Sequence, residues 1–495
     1  VTDPPRIASR RIRDAGWLTI LPLLLNAVSL GANGFIIRQL GPAGYGTLVV
    51  AMGLAGATTL LSNLGMRALY TKAVAGADNA TTARLLREQL ALRSTLGVLA
   101  GLLAISGAVV FYPEDRGVLW CTIFQAIVVV LTVGWTVLAD VLNARERFAE
   151  NALIALKAGV VLTILTTLVA ALGGGAIAVG AAYMVGPILN FALQSRALRQ
   201  LGVPIRFGGA TWARYRQLLR EARVLAANDL VSTIQSRAEG VWAPLLFGKA
   251  TIGVYDAGTL PTSRLGQVPD GVATAFFPAM AAAHNRSDEV ELRHQTVQMF
   301  TLLLAVTLPL AAFLWFGAPY IASLMFPGVE RTTEADLATF IVRVTSFAVP
   351  LAGLGIAMRY ALQAAGLHGR NAKDQMASTT LGALLGLGAA LSFGIRGLAV
   401  AVVGRAAIAK LVQGATFRRR FPGLMPSLPW PKLLGCLFIP VSILMFGVGD
   451  GNGAGYVTAA VVAMVSGAGY AVAVIWTGLV VLPQRYAERL PFLRG

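Results

Sequence analysis

Apolar runs of about twenty residues recur along this chain, and they fix its environment before anything else. A bilayer core of about 30 Å takes about 20 residues to cross at about 1.5 Å each. With no water there to satisfy the backbone, such a run must be a helix. Fourteen runs are read as spans, at 17–37, 43–64, 94–111, 118–141, 152–172, 176–195, 225–247, 256–281, 297–317, 341–363, 376–393, 397–416, 433–449 and 456–481. The expected fold class is an all-α integral membrane protein of about 14 transmembrane helices. Composition agrees, with 13% charged residues and a mean hydropathy of +0.68, against about 25% charged in soluble domains. The first run follows RIASRRIRDAG and is too long for a signal-peptide core, so it is read as a retained span.

An even number of spans puts both termini on one side, and the basic residues sort accordingly. Of the 41 Lys and Arg, 31 fall on the terminal side, 5 opposite and 5 inside spans; the 23 acids divide as 12, 7 and 4. The net charge of +18 is thus explained by topology, with cytoplasmic N- and C-termini in a cytoplasmic membrane. A nucleic-acid partner is not needed. The link at 196–224 contains TWARYRQLLREAR, with Trp212, Tyr215, Leu218 and Leu219 on one helical face, and is read as an interfacial amphipathic helix.

A repeat divides the chain. LGPAGYG and FGKATIG align at an offset of 207, so that Gly41 meets Gly248 and Gly46 meets Gly253, with Pro42 at the turn in the first copy. Each copy follows one span and opens the next. The expected plan is an N-terminal lobe at 1–195, the link at 196–224, a C-terminal lobe at 225–416 and two further helices with a tail at 417–495. In transporters built from repeats, substrate binds between the halves.

Ionisable groups at membrane depth are costly and mark function. In the seventh span Asn228, Asp229, Ser232, Gln235, Ser236 and Glu239 share one helical face, and Arg237 points off it. The next span carries Pro261, Arg264, Gln267, Pro269 and Asp270, and the first adds Asn26 and Asn33. These groups are expected to line a hydrated cavity. Arg237 and Arg264 suit phosphate, because guanidinium binds two oxygens at once. The acids Asp229, Glu239 and Asp270 are candidates for cation coupling, or they neutralise neighbouring arginines. Arg343, Arg359, Arg405 and Asp140 are secondary candidates, Arg359 and Asp140 lying near cytoplasmic ends from which side chains reach headgroups.

Other chemistry is disfavoured. Gly248-Lys249 is followed by Ala250, so no phosphate loop of the GxxxxGK[ST] type is formed there. His284, His294 and His368 are read in connecting loops, and neither a metal nor an organic cofactor is expected. No outer link is long enough to hold an enzyme's catalytic domain.

The run NGFIIRQLGPAGYGTLVVAMGLAGATTLLSNLGMRALYTK, with FGKATIGVYDAG and MRYALQAAGLHGR, resembles the Wzx-type oligosaccharide flippases of the multidrug/oligosaccharidyl-lipid/polysaccharide exporter superfamily. The resemblance implies two six-helix lobes and alternating access. It implies a polyprenyl-diphosphate-linked oligosaccharide as substrate, with membrane lipids around it and a polysaccharide polymerase or other assembly proteins as partners. Two alternatives within the superfamily stay open, a cation-coupled multidrug antiporter and a lipid II-type flippase.

Overall fold

The computed structural model describes residues 4–63, 66–205, 208, 213, 215–220, 239–326, 333–424, 428, 429, 431 and 433, with backbone alone for 4–27. The described residues form helices and no strand. In order these are α1 (Pro4–Thr58), α2 (Leu60–Asn63), α3 (Met66–Val74), α4 (Asn79–Phe111), α5 (Arg116–Ala144), α6 (Phe148–Ala171), α7 (Ala176–Ala182) and α8 (Val185–Gln200). They continue as α9 (Glu239–Phe247), α10 (Lys249–Leu265), α11 (Val268–Asn285), α12 (Glu289–Met325), α13 (Thr333–Ser346), α14 (Ala348–Ala364) and α15 (His368–Arg420). Eight helical stretches among the described residues are long and apolar enough to cross a membrane. The protein is an all-helical, multi-pass membrane protein.

The predicted first and second spans form one helix, α1, broken at Gly41, where φ 66° and ψ 175° are open only to glycine without strain. The eleventh and twelfth spans likewise run together in α15, broken at Gly394. There the chain doubles back, since a Cβ on Gly397 would strike the Ala389 carbonyl. The predicted eighth span is two helices, α10 and α11. Pro261 lies inside α10 without ending it, while Pro269 stands at the start of α11, where a missing N–H costs no helical bond. The break falls at Gly266-Gln267 instead. The seventh span is described from Glu239 onward; beyond Leu433, the thirteenth and fourteenth lie outside the described residues.

Helices outrun the apolar segments that predicted them. Asp78 caps α4 through the Thr81 N–H, and Asp288 caps α12 through the Glu291 N–H. Both caps set the helix start well before the apolar run, satisfying amides that would otherwise lack partners. The three histidines fall in helices rather than in loops, His284 in the last turn of α11, His294 in α12 behind the Asp288 cap and His368 opening α15.

The chain divides into two compact units, Val1–Asp256 and Ala257–Gly495. The first has a core of Leu86, Leu138, Leu142 and Leu198, and a second cluster around Ile36, Leu48, Cys121 and Val179. Tyr215 and Leu218 pack toward Met66 and Leu92, so this part of the predicted interfacial helix lays its apolar stripe on protein. In the second unit Met280, Phe300, Leu303, Ala357, Leu362 and Phe417 form the main core. Large apolar side chains such as Val110, Ile164, Leu384 and Phe393 are more than half exposed, which a water-facing surface does not normally tolerate in such number and a lipid-facing one requires.

Candidate functional site

The second unit gathers its charge where α11, α14 and α15 meet. Asp270, in the first turn of α11, accepts a hydrogen bond from Arg359 Nη2 of α14 at 2.5 Å. One turn on, the Thr274 hydroxyl pairs with Tyr360 OH at 3.0 Å. The Arg359 guanidinium also lies 5.3 Å from the centre of the Tyr360 ring, and Phe277 meets that ring edge-on. From α15, the Lys410 ammonium reaches the face of α14 at Gly355, where any Cβ would displace it. Gly355 and Arg359 are four residues apart and so share that face. Lys410 donates to Gln413 Oε1 at 3.4 Å, and among the described residues no carboxylate pairs with it. The site therefore holds two cations and one acid. The Asp270–Arg359 pair is not sealed, the side chains being 50% and 30% exposed. A pair this wet is held weakly, and its arginine can exchange Asp270 for another anion.

The described residues among those singled out from the sequence have partners on several elements. Asp270 pairs with Arg359. Arg264 ends α10, and Glu239 opens α9 and accepts from Tyr255 OH at 2.8 Å. Asn33 Nδ2 donates to the Ser29 carbonyl within α1, while Asn26 lies in the stretch described by backbone alone. Asp229, Ser232, Gln235 and Arg237 lie outside the described residues. Arg359 and Asp140 do not reach for headgroups as expected. Each finds a partner on a neighbouring helix, Asp140 being only 1% exposed between Arg67 and Arg93. Lys410, inside the predicted twelfth span, is not among the residues singled out from the sequence. Its signal was its place in AIAKLVQG, an apolar stretch that continues the helix past it.

In the first unit the two repeat turns meet. Gly41 and Gly248 both have positive φ, 66° and 78°. A Cβ on Gly46 would overlap the Lys249 carbonyl, and one on Gly253 would overlap the Pro42 carbonyl and lie 3.0 Å from Gly46 Cα. At the offset of 207, Pro42 corresponds to Lys249 and Gly46 to Gly253, so the contact is reciprocal, as two-fold-related copies would make it. Gly53 and Gly240 continue the crossing backbone to backbone. Two polar links flank it. Tyr45 OH donates to Asp256 Oδ2 at 2.7 Å, and the Lys249 ammonium binds Asp115, the residue that caps α5.

Residues 12–284, more than half of the chain, match the family described as polysaccharide biosynthesis protein, and residues 233–392 match the MatE family. No curated protein matches the sequence. Among solved structures, the lipid II flippase MurJ in an inward closed conformation has a TM-score of 0.73 at 12% identity, covering 96% of this chain and 99% of that one. An inward-facing multidrug resistance MATE family transporter has a TM-score of 0.64 at 16% identity, covering 83% and 99%. A transporter from Pyrococcus furiosus has a TM-score of 0.55 at 17% identity, covering 83% and 96%. At these identities the structures establish a shared fold. The chain belongs to the polysaccharide biosynthesis protein family.

Proposed function

We propose that this protein flips an oligosaccharide carried on polyprenyl diphosphate from the cytoplasmic to the outer leaflet of a bacterial inner membrane by alternating access, supplying surface polysaccharide (O-antigen or exopolysaccharide) assembly. The observation that carries this reading is the excess of cation over acid at Arg359, Lys410 and Asp270. A diphosphate is the anionic group common to such substrates, and guanidinium and ammonium are its ordinary ligands. Tyr360 and Thr274 add hydroxyls and an aromatic face beside the cations, chemistry suited to a sugar. Arg264 and Arg237 are proposed as further phosphate ligands, and the polyprenyl tail stays in lipid.

The two-lobe plan, 1–195 and 225–416 joined by 196–224, is retained as part of this reading, as are the cytoplasmic termini. Asp229, Glu239 and Asp270 remain candidates for ion coupling, Asn26, Asn33, Ser232 and Gln235 for sugar contacts, and a polymerase for a partner. A drug antiporter would place an unpaired acid at its centre to take a cationic substrate; here the acid is already matched and a cation is left over. The test is complementation of a bacterium lacking its own oligosaccharide flippase. The protein restores surface glycan, and the double variant Arg359→Ala/Lys410→Ala, present in the membrane at normal level, does not. Restoration by the double variant at the normal level refutes the site.

A further inference from the structure

Two polar links clasp the halves of α15 at the end remote from the break at Gly394. Thr416 Oγ1 donates to Asp374 Oδ2 at 2.6 Å, and Gln413 Nε2 donates to Asn371 Oδ1 at 3.5 Å. The second link leads on to the proposed anion site, because Gln413 Oε1 accepts from the Lys410 ammonium at 3.4 Å. Charge dictates the direction of this chain. An ammonium has donors and no acceptor, so Gln413 turns its carbonyl toward Lys410. Its NH2 group then faces Asn371, which must present Oδ1. Asn371 and Gln413 are 3% and 4% exposed, so bulk water does not take over these bonds. On its other side the ammonium fills the notch at Gly355 of α14, where it feels the like charge of Arg359.

We propose that Gln413 and Asn371 are positioning residues, which hold the Lys410 ammonium in the Gly355 notch beside Arg359 so that both cations meet one diphosphate. The ligand rests on the function proposed above; the geometry stands on the hydrogen bonds alone. Without an acceptor, repulsion between the two cations would swing the ammonium away on its flexible stem. An amide suits this task because it carries no charge. It fixes the place of the cation and leaves that cation available to an anion, whereas a carboxylate at the same position would hold the ammonium and neutralise it.

Two measurements on the purified full-length protein decide it. The first needs no ligand, so it judges the positioning even if the cargo has been misread. Lys410 is acetylated with a water-soluble N-hydroxysuccinimide ester, and the modified peptide is quantified by mass spectrometry. Gln413→Leu raises the Lys410 rate about tenfold, the loss of one hydrogen bond to a charged group, and Asn371→Leu raises it in the same direction. Asn371→Asp, which keeps an acceptor, and Thr416→Val, which breaks only the neighbouring link, leave the slow rate in place. The second measurement titrates inorganic pyrophosphate by calorimetry. Gln413→Leu weakens binding about tenfold, Thr416→Val does not, and in a Lys410→Met background Gln413→Leu has no further effect. A Lys410 rate indifferent to Gln413→Leu, or equal effects of Gln413→Leu and Thr416→Val, overturns the proposal. Pyrophosphate that fails to bind the intact protein, with the acetylation rates as expected, supports the positioning and overturns the diphosphate as its ligand.

Discussion

Asp140 Oδ2 and Arg93 Nη1 face each other at 3.5 Å in the first unit, with their side chains 1% and 4% exposed. Arg67 completes the group from the surface, donating to Asp140 Oδ1 at 2.8 Å with its own side chain 59% exposed. Removing one member of a buried pair strands the other's charge, at a cost of about 3–5 kcal/mol. Asp140→Ala is expected to destabilise the protein by that amount in denaturant unfolding. Arg67→Ala, exposed, is expected to cost under about 1 kcal/mol.

The repeat turn at Gly41 offers a prediction of pure backbone origin. Nothing lies within 4 Å of a Cβ built there, so Gly41→Ala meets no clash and its cost is conformational, about 1–3 kcal/mol. Gly31, in the same helix, is equally open but lacks the positive φ. Gly31→Ala is expected to stabilise by up to about 1 kcal/mol. Paired thermal unfolding curves in one detergent give both signs.

Asp115 links acidity to its ion pair with Lys249. Partial burial alone would raise its pKa; the Lys249 ammonium and the Val118 and Gly117 amides outweigh this and hold the carboxyl below the usual range. Its folded value thus lies below the unfolded one of about 3.9. Its contribution to stability is complete above that pH and is lost as pH falls through the folded value. Asp115→Asn is expected to flatten this part of the acid-unfolding curve and to leave the pH dependence near neutrality unchanged.

Lys410 separates charge from shape at the proposed anion site. Lys410→Arg keeps the charge and is expected to retain transport within a few-fold, whereas Lys410→Met removes it and is expected to lower transport by about ten- to a hundred-fold, the loss of one charge-assisted contact. Glycan export normalised to protein in the membrane checks both.

Much of this was readable in the sequence because it is local. Apolar length set the spans, and the glycines at 41 and 248 marked turns that need positive φ. Pairing across helices was not readable. Asp270 lies six residues from Arg264 in sequence, but its hydrogen bond comes from Arg359, 89 residues away. Asp140 looked like a residue near a helix end, and burial by α3 and α4 makes it internal. Lys410 falls within the predicted twelfth span, but its place beside α14 depends on the glycine opposite, Gly355, which makes room for it. In each case the partner's position depends on how helices pack, which periodicity along one helix does not carry.

In the proposed function, the cations at Arg359 and Lys410 hold the anionic group of a lipid-linked glycan as it crosses the membrane. This is tested most directly with purified protein in vesicles containing polyprenyl-diphosphate oligosaccharide, by following the fraction of sugar reached by an impermeant oxidant. The reachable fraction is expected to rise with the intact protein and to stay at the protein-free level with Arg359→Ala/Lys410→Ala. Equal rates for the intact protein and the double variant would contradict it.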